Sequence, residues 1–145
     1  MRTPVVEKVL AYIVRDGRLL VFRHLDHGPE EVGIQVPAGT LKPGETPEVA
    51  VLREAGEETG LAGLAVVRKL GESRYNIWPY RDERQLRHVF ELSCPDDVPE
   101  RWSSSETDSA DGGPERFECF WIPLRQAHVL QSGQGELIWR LRSTL

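Results

Sequence analysis

The sequence predicts a layered α+β or α/β fold, with a β-sheet packed against helices in one domain over residues 1–145. Strand-like runs lie both before and after a single well-punctuated helix, which is the pattern of a layered sandwich. The length of 145 residues suits one domain with a real core, and no repeat or Pro/Gly-rich linker divides it. A composition of 39% hydrophobic and 28% charged residues is neither that of a disordered chain nor that of a membrane span.

Residues 5–14, "VVEKVLAYIV", are apolar on both faces from Val9 onward and read as a central strand. Asp16-Gly17 is a favoured two-residue hairpin turn, and "LLVFRH" from Leu19 returns as the second strand. "HLDHGPEEVG" is a polar loop holding His24, His27 and Gly28-Pro29. "IQVP" reads as a short strand ending at Pro37, and "AGTLKPGE" as a loop.

The helix follows. Thr46 suits the N-cap, Pro47 the first helical position, and Gly60 the position just past the end. Val49, Leu52, Ala55, Gly56 and Thr59 form an apolar arc, and Gly56 on that arc predicts a close approach of helix to sheet. Glu54, Glu57 and Glu58 fall on the other side. At about 100° per residue, Glu57 and Glu58 lie roughly 60° and 40° to either side of Glu54. Such like-charge pairs cost an isolated helix a few tenths of a kcal/mol each. Either solvent screens them or something positive belongs there.

"LAVVRKLGESRYNIW" reads as one or two strands, and "RQLRHVFELS" as a strand with Leu86, His88, Phe90 and Leu92 on one face. Residues 95–115 are acidic and rich in Ser, Pro and Gly, the composition of a long mobile loop. "RFECFWIPL" is a last strand, and "GELIWRLRSTL" an amphipathic C-terminal helix with Glu136 four residues before Arg140.

The segment before the helix changes the reading of its glutamates. Residues 39–61, "GTLKPGETPEVAVLREAGEETGL", fit the pattern G-x5-E-x7-R-E-U-x-E-E-x-G-U, where U is apolar. Gly39, Glu45, Arg53, Glu54, Glu57, Glu58 and Gly60 stand in register, with Ala55 and Leu61 at the U positions. This pattern is the Nudix box, and the chain resembles a Nudix hydrolase. "VPAG" leading in and "WIPL" near the end agree with it.

The resemblance implies an α/β/α sandwich with a mixed β-sheet between helices. It also implies hydrolysis of a nucleoside diphosphate linked to another group, with Mg²⁺ or Mn²⁺ as cofactor. Glu57 and Glu58 match the family's main metal ligands, and Glu54 a third ligand or general base. The Gly39 carbonyl also reaches metal in such proteins. Glu45 and Arg53 match a pair that braces loop against helix. Related enzymes place the base in the box or on a later segment. Here Glu115 and Glu118, six and three residues before Trp121, are the later candidates, as base and as metal ligand respectively. Glu106, Asp108 and Asp111 stand behind them. Hard divalent cations take oxygen ligands, offset phosphate charge and acidify water, which is why carboxylates suit this chemistry.

For substrate contacts, "RYNIWPYRDERQLRH" offers aromatics to stack on a base and arginines to hold phosphate, chiefly Arg74, Tyr75, Trp78 and Arg87, with Tyr80, Arg81 and Arg84 nearby. The net charge of −5 argues against general nucleic-acid binding but allows a nucleotide-type substrate through bridging cations. The start lacks the apolar stretch of a signal peptide, and Cys94 and Cys119 have no CxxC spacing. The expectation is a cytoplasmic protein with reduced thiols, without membrane partners, and compatible with a homodimer. The alternatives are a catalytically silent nucleotide-sensing module on the same fold and an acidic protein-interaction domain centred on residues 95–115.

Overall fold

The structure, a computed structural model, describes residues 4–26, 33–79, 81–106 and 115–144, with side chains through residue 141. Strands β1 (Val5–Arg15) and β2 (Arg18–His24) form the expected hairpin. Asp16 and Gly17 both take positive φ, 53° and 71°, as the turn requires. The middle of β1, Val9 to Ile13, is buried on both faces because β1 is central.

The expected strand at "IQVP" is replaced by a strap. Gln35 exchanges two backbone hydrogen bonds with Phe22 of β2, at 2.9 and 3.0 Å. Pro37 has no N–H to continue a ladder. Its carbonyl instead accepts from Ala11 of β1, at 2.9 Å. The chain thus changes partner at Pro37, and β3 (Ala38–Thr40), expected to be loop, pairs antiparallel with β1. The strap and β3 part β1 from β2 beyond their hairpin end.

Helix α1 (Pro47–Thr59) has the expected ends. Thr46 Oγ1 accepts from Val49 N–H at 3.3 Å, and Gly60, at φ 73°, donates to the Gly56 carbonyl at 2.8 Å. Its buried arc is Ala50, Val51, Ala55, Glu58 and Thr59, whereas Val49 is 56% exposed. The buried stripe is therefore rotated from the expected one, and Glu58 belongs to it. The expected close approach at Gly56 is absent, since a Cβ there would meet only the Leu61 carbonyl at 3.7 Å. Ala50 and Ala55, both fully buried, make the approach instead.

The remaining strands are β4 (Ala65–Asn76), β5 (Arg84–Ser93), β6 (Arg101–Glu106) and β7 (Glu115–Pro123). The sheet runs β4-β5-β1-β2-β7-β6, with β3 beside β1. It is mixed: β1 and β5 are parallel and the other pairs antiparallel. The segment expected to be one long loop contains β6, because Trp102 and the serines find a ladder in β7.

One face of the sheet packs on α1 through Phe22, Phe90, Phe117 and Trp121. The other packs Tyr12, Val36, Leu70 and Ile122 against 3-10 segments at Leu124–Val129 and Ile138–Thr144. The C-terminal helix is thus 3-10 rather than α. The Tyr12 hydroxyl donates to the Gln134 carbonyl, the acceptor that an α-turn would offer to the Ile138 N–H. That N–H turns to the Gly135 carbonyl at 3.1 Å. No helix among the described residues is long and apolar enough to cross a membrane.

Candidate active site

Arg53 organises the box. Its Nε and Nη2 hold the two Glu45 oxygens at 2.7 and 2.8 Å, and Nη2 also reaches the Thr40 carbonyl at 3.2 Å. Nη1 reaches Glu54 Oε1 at 2.8 Å and Glu57 at 3.5 Å. One guanidinium thereby ties the loop, the end of β3 and two acids of α1 together. Glu45 also accepts from the Lys42 N–H at 2.9 Å. Its carboxyl is held down to about 2, first by Arg53 and then by that backbone bond.

Glu58 is buried and accepts from the Ala38 N–H at 2.7 Å, joining α1 to the start of β3. Burial pushes its carboxyl well above the usual range, and Glu54, Glu106 and Glu57 add to the shift. Burial likewise raises Glu54, against the pull of Arg53. Between these acids runs Gly39. A Cβ there would lie inside the Glu54 carboxylate, so only glycine leaves that side chain its place.

Carboxylate oxygens of Glu54, Glu57 and Glu106 lie within 4.8 Å of one another. Glu106 arrives on β6, which docks on the C-terminal end of α1. Trp102 Nε1 donates to the Thr59 carbonyl at 2.8 Å, and Ser104 Oγ to the Glu58 carbonyl. These carbonyls belong to the last turn of a helix, where no intrahelical donor remains. Alternate residues of a strand share a face, so Trp102, Ser104 and Glu106 all point at α1, and the third meets Glu54 and Glu57.

The later glutamates fall differently. Glu118 alternates with Phe117 and Cys119, which pack in the α1-facing core, so it points to the opposite face. There it pairs with Arg23 at 2.7 Å and Arg101 at 2.8 Å, which lower its carboxyl. Its expected place among the metal ligands is therefore corrected. Glu115 is the register partner of Glu106 but bonds His24 Nδ1 at 2.8 Å and is no member of the three-acid group. The strand pairing brings in Glu106 instead. Asp108, Asp111, His27 and Tyr80 lie outside the described residues.

Gly39 also lines a cleft of about 210 Å³, together with Lys8, Gln85, Arg87, Gln131, Ser132 and Gln134 and the apolar Leu10, Ala38 and Ile77. Of the expected substrate residues, Arg87 lines it, and Tyr75 stacks under that guanidinium at 4.2 Å. Arg74 and Trp78 are exposed and do not line it; Arg74 lines a separate cleft with Tyr75 and Arg84. Lys8 was not singled out in the sequence. Its pairing with Arg87 across two strands 79 positions apart is what reveals it.

The donor set is all oxygen and mostly carboxylate, which fits Mg²⁺ or Mn²⁺ and not a soft metal. Glu54, Glu57 and Glu106 would hold it, whereas Glu58, expected as a main ligand, is buried outside this group with Oε1 on the Ala38 N–H.

Comparison with known proteins bears on the family. A stretch of 58 residues is 49% identical to an RNA pyrophosphohydrolase of Gluconobacter oxydans (strain 621H), covering 40% of this chain and 33% of that protein. Another of 54 residues is 48% identical to a MutT-like protein of Streptomyces ambofaciens, covering 37% and 32%. The matched segments thus span about a third of the length of these relatives. In fold, the crystal structure of a MutT protein from Methanosarcina mazei Go1 superposes with a TM-score of 0.71 at 20% identity, over 99% of this chain and 97% of that one. The family model of the NUDIX domain matches residues 6–140. With almost its whole length matched, the chain belongs to the NUDIX domain family.

Proposed function

We propose that the protein is a divalent-metal-dependent pyrophosphohydrolase that cleaves the diphosphate linkage of a nucleoside diphosphate derivative by attack of water on phosphorus. The observation that carries this reading is the convergence of Glu54, Glu57 and Glu106 from two separate elements. Acids brought together from a helix and a strand repel one another; Arg53 offsets part of this at Glu54 and Glu57, and a bound divalent cation would offset more. The name of one relative, RNA pyrophosphohydrolase, supports the same bond type.

A bound Mg²⁺ or Mn²⁺ would supply charge neutralisation of the diphosphate and a lower pKa for water beside it. The chain's residues do the rest. Arg53 occupies Glu54 Oε1 and leaves Oε2 to accept the water proton. The bond from Arg53 also fixes the direction in which the Glu54 carboxylate faces, as a base needs. Glu58 and the Ala38 N–H fix β3 against α1, so the Gly39 backbone stays beside the acids. Glu45 holds Arg53 from the far side, and with it the rotamer of Glu54.

The test is chromatographic detection of the cleavage products (nucleoside monophosphate, pyrophosphate or sugar phosphate) from a panel of nucleoside triphosphates, nucleotide sugars, ADP-ribose, dinucleoside polyphosphates and 5′-triphosphate RNA, with Mg²⁺ or with chelator. Turnover of at least one substrate is expected with metal and none without it. Full turnover in excess chelator, or no turnover of any substrate with metal, rejects the proposal. The second result would favour the silent sensing module.

A further inference from the structure

The cleft at Gly39 has a property that the acid cluster does not explain. Lys8 and Arg87 are register partners on parallel strands β1 and β5, so two cations stand side by side on one face. Like charges at paired positions destabilise a sheet. Neither has a carboxylate partner within ion-pair distance among the described residues. Lys8 Nζ donates to Thr40 Oγ1 at 2.6 Å. Arg87 donates to Gln85 Oε1 at 3.0 Å and the Ser132 carbonyl at 2.6 Å, and its Nη2 has no hydrogen-bond partner among the described residues. Arg87 is only 4% exposed. A chain of net charge −5 has nonetheless placed two cations without an ion-pair partner side by side in a half-enclosed space, where Glu83 and Glu54 act on Lys8, and Glu136 on Arg87, only from beyond contact.

The rest of the lining points the same way. Gln131 Oε1 already accepts from the Gly33 N–H, at 2.6 Å, and Gln134 Oε1 from the Val36 N–H, at 2.9 Å. Each oxygen is turned to a backbone N–H, which leaves the amide N–H groups of both glutamines without an acceptor among the described residues. No carboxylate and no aromatic ring lines the cleft among the described residues. Two cations in a cleft without a carboxylate suit an anionic guest, and a cleft without a ring offers a nucleobase nothing to stack on.

We propose that this cleft is an anion subsite in which Lys8 and Arg87 bind a phosphate group of the substrate lying beyond the bond that is cleaved. Resting on the pyrophosphohydrolase reading, it deepens that reading to a substrate class: compounds with a further phosphate next to the scissile diphosphate, such as nucleoside triphosphates and longer phosphate chains, over those ending in a neutral sugar. Gly39 belongs to both halves of the site, lying against Glu54 of the acid group and lining the cleft of Lys8 and Arg87.

The experiment has two arms on the full-length chain. In the first, inorganic phosphate and tripolyphosphate are titrated by calorimetry in excess chelator, so that binding owes nothing to a divalent ion. Wild type should bind both. Lys8→Met should bind at least about tenfold more weakly, the scale of one lost charge-assisted bond. Lys8 is half-buried with Thr40 as its hydrogen-bond partner, so this variant should fold, as circular dichroism would verify. Arg87→Lys, which keeps the charge, should bind between the two. No binding by wild type, or equal binding by Lys8→Met, overturns the subsite. In the second arm, with Mg²⁺, Lys8→Met should raise KM for a nucleoside triphosphate about tenfold and leave KM for a nucleotide sugar near wild type. Equal effects on both, or weakened phosphate binding with an unchanged triphosphate KM, overturn the assignment to substrate. Absence of all turnover in wild type would sink the hydrolase reading, while the first arm would still decide whether the cleft binds phosphate.

Discussion

Gly39→Ala is the smallest change that should disable the site without unfolding the protein. The added carbon meets only the far end of the Glu54 side chain, which can swing aside at little cost to the fold. Swinging aside removes Glu54 from Glu57 and Glu106. Turnover should fall at least about tenfold with a melting temperature near wild type, on the scale of catalytic misplacement. Unchanged kcat would show that Glu54 is not needed where it stands. Glu106→Gln should cost about 100-fold or more in turnover, the scale of one lost electrostatic stabiliser. Glu118→Gln, which breaks contacts with Arg23 and Arg101 on the opposite face, should leave the rate near wild type and lower stability. Equal rates for the two variants would reject Glu106 as a member of the cluster. Acid stability follows from Glu45. Its folded carboxyl titrates at about 2, below the ordinary 4.5. A depressed carboxyl stabilises the fold fully above the ordinary value, and that share is lost as pH falls from 4.5 towards 2. The raised carboxyls of Glu54 and Glu58 act in the opposite sense. The gap in melting temperature between wild type and Glu45→Gln isolates the first effect. It should be constant above about pH 5 and shrink below it. A gap that does not change with pH would mean the Arg53 contact is not what holds Glu45 charged.

At the scale of elements, helix and strand must be distinguished by what they deliver to the site. Ser104→Ala and Thr46→Ala each remove one hydrogen bond at an end of α1, and each should cost about 1 kcal/mol of stability. Only the first loosens β6, so only the first should also lower turnover by shifting Glu106. Denaturant titration and kcat measured on both variants would check this, and equal kcat in the two would refute the docking role of Ser104. These elements also show what the sequence could and could not disclose. The helix was legible to its caps because Thr46, Pro47 and Gly60 act through bonds within a few residues. The box acids were legible because their spacing is local to that helix. The face of Glu118 was legible in principle, since strand alternation with Phe117 and Cys119 already sets it opposite the core. The buried place of Glu58 was not, because the rotation of α1 on the sheet is decided by what Ala50 and Ala55 pack against. Nor was the position of Glu106. "RWSSSE" has one large apolar residue, and its strand exists only through pairing with β7 and donation to two carbonyls of α1. Likewise the C-terminal turn became 3-10 through Tyr12, more than a hundred residues away in sequence.

For the whole molecule, the mixed sheet separates two cores, and the strap at residues 33–37 opens the central strands at the place where the site is built. Adding Mg²⁺ should stabilise the whole fold, because it binds acids that the native state holds together and the unfolded chain does not. At about 100 times its dissociation constant, a cation with no affinity for the unfolded state adds about 2.7 kcal/mol. The rise in melting temperature should vanish with chelator and shrink in Glu57→Gln. A melting temperature indifferent to Mg²⁺ would count against the cluster as a cation site.

The attachment of β6 to the end of α1 also sets an order of events during synthesis. The two carbonyls at Glu58 and Thr59 leave the ribosome 46 and 43 residues ahead of the groups that satisfy them. At roughly 5–20 residues per second, the end of the helix waits about 2 to 9 s for its donors. During that interval water must serve those carbonyls, and the acids of α1 precede the strand that completes their cluster. A nascent chain halted before residue 101 should therefore hold the helix with a frayed last turn, and the site should assemble only as the final third of the chain emerges.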